Sequence, residues 1–185
     1  MSRHSAVVIL ALAAAAGCAS SGTQTPATQR TIAIADGQVM QASEVRGSNQ
    51  QFDAPATQVW TALASAYKSL GIDVPVNDPS THRMGNTQFH VSGRFNGQPL
   101  SAYADCGIGP TGPRANGSRV YFSVITTVTA VDATHTKLST DVEPVAVDMT
   151  GTTNARLDCG TTGQLETELY NRVRAALAGT GGGGI

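Results

Sequence analysis

Phe52-Asp-Ala-Pro-Ala-Thr-Gln-Val-Trp-Thr-Ala-Leu-Ala-Ser-Ala-Tyr-Lys-Ser-Leu-Gly-Ile72 is the stretch on which the fold turns. Pro55 stands where a missing N–H costs nothing, Asp53 is placed to cap, and Gly71 supplies the stop. Between them Val59, Trp60, Leu63, Ala66, Tyr67 and Leu70 recur at helical spacing and form one apolar stripe. The spacing predicts a helix over 55–70. A helix with a single stripe needs one surface to cover it, and a sheet is the economical partner. The lone Trp60 lies on the stripe and reads as a core anchor rather than a ring for stacking a ligand.

The sheet is legible on both sides of this helix. Ser118 to Val131 alternates most strongly, with Val120, Phe122, Val124, Val128 and Ala130 on one face and Tyr121, Ile125 and Val131 on the other. Thr136 to Val147 returns antiparallel, with Leu138 and Val142 inward and Pro144 expected to break the ladder near its end. Upstream, Arg83 to Phe95 reads as a strand with Phe89, Val91 and Phe95 sharing a face. Asn96-Gly97 turns it, and Gln98 to Cys106 returns with Leu100, Ala102 and Ala104 alternating. Ile72 to Val76 reads as a short strand, Gln50 to Phe52 as another. Asp36-Gly37 joins a hairpin of 30–35 with 38–46. Asp148 to Gly160 reads as a polar loop. Thr161 with Gln164 fits a capping box, and Leu165, Leu169, Val173, Ala176 and Leu177 make the buried face of a second helix over about 162–178. The expected fold is α+β: a single antiparallel sheet of about five to seven strands with both helices packed on one face.

This order resembles the helix-grip architecture. The Phe-x-x-Pro-x-x-x-Val-Trp stretch (Phe52, Pro55, Val59, Trp60) followed by Leu70-Gly71-Ile72 is similar to the domains of the C subunit of the bacterial barrel-assembly machine. The likeness covers about residues 50 to 178, and only that one stretch carries it.

The N-terminus says where such a domain would live. Arg3 and His4 precede an uninterrupted small and apolar run from Ala6 to Gly17. That run is shorter than the roughly 20 residues a bilayer needs and reads as an export signal. Ala15-Ala16-Gly17-Cys18 resembles the lipobox of bacterial lipoproteins. The resemblance implies a diacylglycerol thioether on Cys18, cleavage before it, and acylation of the new amino group by a palmitate-type chain. Several chains on one residue anchor a domain stably. Ala19, rather than Asp, follows the cysteine, which by the family's sorting rule implies the outer membrane, facing the periplasm. On this reading residues 1–17 are a signal peptide, 18–30 a Ser/Thr/Gln tether, 31–178 one domain and 179–185 a Gly-rich tail.

With Cys18 lipidated, Cys106 and Cys159 remain as an even pair in an oxidising setting, and a disulfide between them is the natural inference. Two buried thiols or half of a metal site are the alternatives. His82, His90 and His135 lack the close spacing a metal requires, and no cofactor motif is apparent. Gly107 to Gly117 reads as a long exposed loop, whose Gly-Ile-Gly start lacks the helix pattern a phosphate loop needs. Arg114 is its one cation for an anion. Asp105 and Asp158 precede the cysteines in matching Asp-Cys-Gly triplets, and a disulfide would draw these carboxylates together. They read as caps rather than an acid/base pair. No Gly-x-Ser-x-Gly or His-Glu-x-x-His occurs. The formal net charge is -1, so no basic face invites nucleic acid. The expected role is a lipid-anchored, non-enzymatic envelope protein that acts through protein contacts. The alternative is a carrier of a small apolar ligand or lipid between the first helix and the sheet. Trp60, Phe89, Phe122, Leu138 and Leu165 are bulky enough to fill that space.

Overall fold

A computed structural model describes residues 28–33, 39–44, 47–149 and 156–180. The expected signal peptide, Cys18 and residues 181–185 of the tail lie outside the described residues. The expected hairpin is present as β1 (Thr28–Ala33) paired antiparallel with β2 (Val39–Glu44).

The predicted helix is α1, Ala56–Ser69, with Pro55 before it and Leu70 closing it. Its stripe is buried as expected: Val59, Leu63, Ala66 and Tyr67 are at most 1% exposed. Trp60 packs against the margin of the core rather than inside it. Asp53 does not cap the helix. Nothing caps it with a side chain, and the Pro55 carbonyl accepts from the N–H groups of Gln58 and Val59 instead. Gly71 follows at φ +70°, a left-handed turn that lets the Ile72 N–H reach back to the Tyr67 carbonyl.

Among the described residues the main sheet has six strands, all antiparallel. They are β3 (Ser48–Phe52), β4 (Val76–Asp78), β5 (Arg83–Ser92), β6 (Ser118–Ala130), β7 (Thr136–Asp148) and β8 (Arg156–Asp158). The order runs β4-β5-β6-β7, and β7 then carries two short strands on its far edge. β3 pairs with its start, from Thr136↔Phe52 to Thr140↔Ser48, and β8 with its end, from Val145↔Asp158 to Val147↔Arg156. The second helix, α2, is Gln164–Thr180. It lies beside α1 on the same face of the sheet, with an Arg172 guanidinium N–H on the Ser69 carbonyl at 3.3 Å. The fold is therefore α+β, with two helices against one antiparallel sheet.

Alternation sets the core. The even-numbered residues of β6 from Ser118 to Val128 and of β7 from Thr136 to Ala146 are buried. Beneath the helices they meet Leu63, Tyr67, Leu165, Leu169 and Val173 in one cluster. Each fully buried Leu or Phe stabilises the fold by about 1.5–3 kcal/mol. A polar chain crosses this core. The Tyr67 hydroxyl bonds Thr126 Oγ1 at 2.8 Å, and Thr126 bonds Thr140 Oγ1 at 2.9 Å. Tyr170 interacts with Thr140 and donates to the Ser48 carbonyl. One hydroxyl ladder thus ties α1, β6, β7 and α2 together. On the other face Ile125 is also buried, Tyr121 is half-buried beside His90, and Val131 is exposed past the strand's end.

Several expectations are corrected. The strand expected over 72–76 starts only at Val76 and runs to Asp78, so Asn77 and Asp78 pair with Met84 and Arg83 rather than turning. The strand from Arg83 stops at Ser92, because Gly93 at φ +74° turns the chain away. Arg94–Phe95 and Gln98–Pro99 form a separate small hairpin, Leu100–Ala102 is a 3₁₀ turn, and Ala104–Asp105 pairs with Gly160–Thr161. Residues 94–106 therefore add no strand to the main sheet. Pro144 does not break β7. Its carbonyl accepts from the Cys159 N–H at 3.0 Å, so its missing N–H also faces the edge rather than β6. The loop expected over 148–160 contains β8. At α2, Thr161 does not form the expected box with Gln164. Thr161 Oγ1 bonds Glu166 and the Gly163 N–H, and Thr162 Oγ1 takes the Gln164 N–H.

Candidate functional site

The space proposed for an apolar ligand beneath 55–70 is occupied by side chains. Tyr67, Met84, Phe122, Leu63 and Val59 are all at most 1% exposed there. Phe89 stacks at the margin against Phe95 and Phe122, with centroids 5.2 and 6.0 Å apart. The filling is denser than the sequence suggests, because Met84 and Tyr103 join it.

One shallow groove of the described surface is lined by amide and charged side chains. Asn96 and Gln98 of the small hairpin face Gln164, Glu168, Asn171, Arg172 and Ala175 of α2 across a groove of about 520 Å³. Asn96-Gly97 forms the predicted turn, with both residues at positive φ. That turn aims the Asn96 amide at Glu168 Oε2, 3.0 Å away. Tyr103 and Gln164 donate to Glu168 Oε1 at 2.9 and 3.0 Å. Partial burial pushes the Glu168 carboxyl up, but the bonds from Gln164, Asn96 and Tyr103, with the Arg172 charge nearby, outweigh it and hold the group below its ordinary range. Burial, then the Glu168 carboxylate, pushes the Tyr103 hydroxyl up to about 12. Glu168 is thus an ionised clamp holding the hairpin to α2. None of these groove residues stood out in the sequence as functional. The only available signal was the Asn96-Gly97 turn, which says nothing of what it faces.

The residues singled out from sequence are scattered. Cys106 and Cys159 are joined by a disulfide, with Cα atoms 4.5 Å apart. Asp105 accepts from the Gly107 N–H at 3.0 Å, the cap it was expected to be, while Asp158 is exposed in β8 opposite Val145. Arg114 braces its own loop: its N–H groups reach the Gly107 and Ile108 carbonyls, and its methylenes lie on Gly109. That loop is a small hairpin, Ile108–Gly109 with Gly112–Pro113, followed by a helical turn over Arg114–Gly117. His82 lies outside the strands, and His90 is exposed on β5. His135 bonds Asp132 through Nδ1 at 2.8 Å and has Nε2 3.8 Å from Asp53. The Thr134 backbone N–H and the His135 ring hold the Asp132 carboxyl down at about 2. Asp132 and His135 close the β6–β7 turn, and the buried Thr136 hydroxyl donates to the Ala54 carbonyl at 2.7 Å just before α1. Among the described residues, no three His, Cys, Asp or Glu side chains converge as metal ligands, and no helix is long and apolar enough to cross a membrane.

No protein-family model matches the chain, and no curated protein sequence is similar to it.

Proposed function

We propose that this protein is a lipid-anchored, non-enzymatic component of the bacterial cell envelope, held at the outer membrane through Cys18, whose domain acts through contacts with other envelope proteins. The observation that carries the reading is the bonded pair Cys106–Cys159 in a chain whose third cysteine, Cys18, closes a lipobox-like Ala-Ala-Gly-Cys. Disulfides persist in exported proteins, and the lipobox accounts for the cysteine left over. Two further features support it. The core beneath α1 is filled by Tyr67, Met84 and Phe122, which favours a solid module over a carrier. The Glu168 carboxylate in the groove has both oxygens occupied by structural donors, an arrangement suited to holding a surface in shape.

Fractionation of a Gram-negative host tests the reading. The natural chain is expected with the outer membrane, and the Cys18→Ser variant in other fractions. A photo-crosslinker on the domain surface is expected to join the anchored chain to a discrete envelope protein. Identical fractionation of the two chains, or crosslinks to lipid alone, would rule the reading out.

A further inference from the structure

The edge of the sheet formed by β5 is only partly covered. β4 pairs with Arg83, Met84 and Gly85 and goes no further. From Thr87 to Ser92 the strand bonds β6 on one side, and among the described residues no strand pairs with it on the other. Thr87, Gln88, His90 and Ser92 are exposed, and Phe89 and Val91 are half-buried. A bulge falls between the pairs Phe122↔Phe89 and Val124↔Asn86, with Asn86 Oδ1 taking the Gln88 N–H at 2.8 Å. Beyond it Phe89 to Ser92 is regular and faces Phe122 to Arg119. Natural sheets usually blunt such an edge with lysine, proline, an inward charge or a bulge; the bulge here ends before Phe89, and Thr87 to Ser92 contains none of the other three.

The surroundings specify a strand of one chemistry. From Pro79 to Ala104 the chain has no Asp or Glu, while it carries His82, Arg83, His90 and Arg94. Arg119 stands beside Ser92 on the next strand. The acids at the near end are Asp73 and Asp78, and the Asp78 carboxylate is occupied by the hydroxyls of Ser80 and Thr81. Glu168 is taken up by Asn96, Gln164 and Tyr103. Next to the edge there are also apolar contacts. His90 lies on the Tyr121 ring with centroids 5.3 Å apart, and Met149, 53% exposed, touches Ser92 through its sulfur at 3.6 Å.

We propose that the free edge of β5, Thr87–Ser92, receives an extended acidic segment of a partner protein as an added strand. Main-chain hydrogen bonds to the open edge supply the affinity. On the face of His90 the incoming strand's carboxylates meet Arg119 beside Ser92, and its alternate side chains meet half-buried Phe89 and Val91 on the other face. This rests on reading the domain as a protein-interaction module and names the surface and the partner chemistry.

The test uses the full-length lipidated protein in neutral detergent and an end-blocked nine-residue peptide that alternates glutamate with valine. Amide hydrogen exchange is followed residue by residue. The expected result is slowing of about tenfold or more at amides within Thr87–Ser92. The effect is lost when alternate peptide nitrogens are methylated, when lysine replaces glutamate, or in a Thr87→Glu/His90→Glu variant whose unfolding midpoint is unchanged. No slowing at millimolar peptide, slowing that survives N-methylation, or protection located elsewhere would overturn the proposal. Membranes and partners are absent from this experiment, so its failure removes the edge site and leaves the fractionation and crosslinking results to judge the module itself.

Discussion

Gly85 shows how one residue can set the sheet. It sits in β5 at φ +156°, and a Cβ there would lie 2.0 Å from the Val124 carbonyl oxygen, which is backbone and cannot swing away. Gly85→Ala is expected to cost on the order of 3 kcal/mol or more. Gly71 at φ +70° has open space around it, so Gly71→Ala should cost only about 1 kcal/mol. Urea midpoints of the two variants check the ranking; equal midpoints would contradict it. Glu166 makes a second case. It is fully buried at the start of α2 with its oxygens 3.0 and 3.2 Å from Thr161 Oγ1. Burial pushes its carboxyl above the ordinary 4.5, against the bond from Thr161. The folded state therefore holds this proton more tightly than the unfolded chain does. Its stabilising contribution is complete below pH 4.5 and is lost as pH rises through the folded value. Glu166→Gln should flatten that part of the stability profile and raise the urea midpoint at pH 7.5. An unchanged slope above pH 4.5 would refute the assignment. Neither residue was legible beforehand. Gly85 lies in a run that reads simply as strand, and Glu166 falls one helical step from an apolar stripe whose pattern gives no hint that a carboxylate is enclosed with it.

At the scale of elements, the disulfide holds the least regular part of the fold. It closes a separation of 53 residues and joins the start of the 107–117 loop to the segment between β8 and α2. Loop-closure entropy puts its stabilisation at about 4 kcal/mol. The Cys106→Ala/Cys159→Ala pair should lower the melting temperature markedly, and hydrogen exchange should quicken first at Ala104–Asp105 and Gly160–Thr161, which pair beside the bond. Uniform loosening of the whole sheet would contradict this. The long elements, α1, β6, β7 and α2, were readable because each carries a sustained period over many residues. Residues 94–106 were not. Leu100, Ala102 and Ala104 alternate as a strand would, but Leu100 to Ala102 wind into a 3₁₀ turn that buries Leu100 and seats Tyr103 against Phe95. Over so few residues packing outweighs period. Pro144 misled for a similar reason: the rule against proline applies to a side that bonds a neighbour, and its free side could be found only from the position of Cys159.

For the whole molecule, two one-striped helices and alternating strands leave few arrangements, which is why the layering was legible. The groove was not, because Asn96, Tyr103 and Glu168 come together from three separate segments and none bears a motif. The hydroxyl ladder is equally hidden, and it links both helices to the sheet. Tyr67→Phe should cost about 1 kcal/mol, since Thr126 keeps Thr140 as a partner. A coupling near zero in the cycle with Thr126→Val would show that the ladder is not a unit. The role proposed for the molecule depends on its attachment. The most direct measurement is the intact mass of the mature protein extracted from the membranes of a Gram-negative host. The expected mass is that of a chain beginning at Cys18 that carries a diacylglyceryl group and an amide-linked fatty acyl chain. A mass with no added lipid, or one for a chain beginning anywhere else, would contradict it.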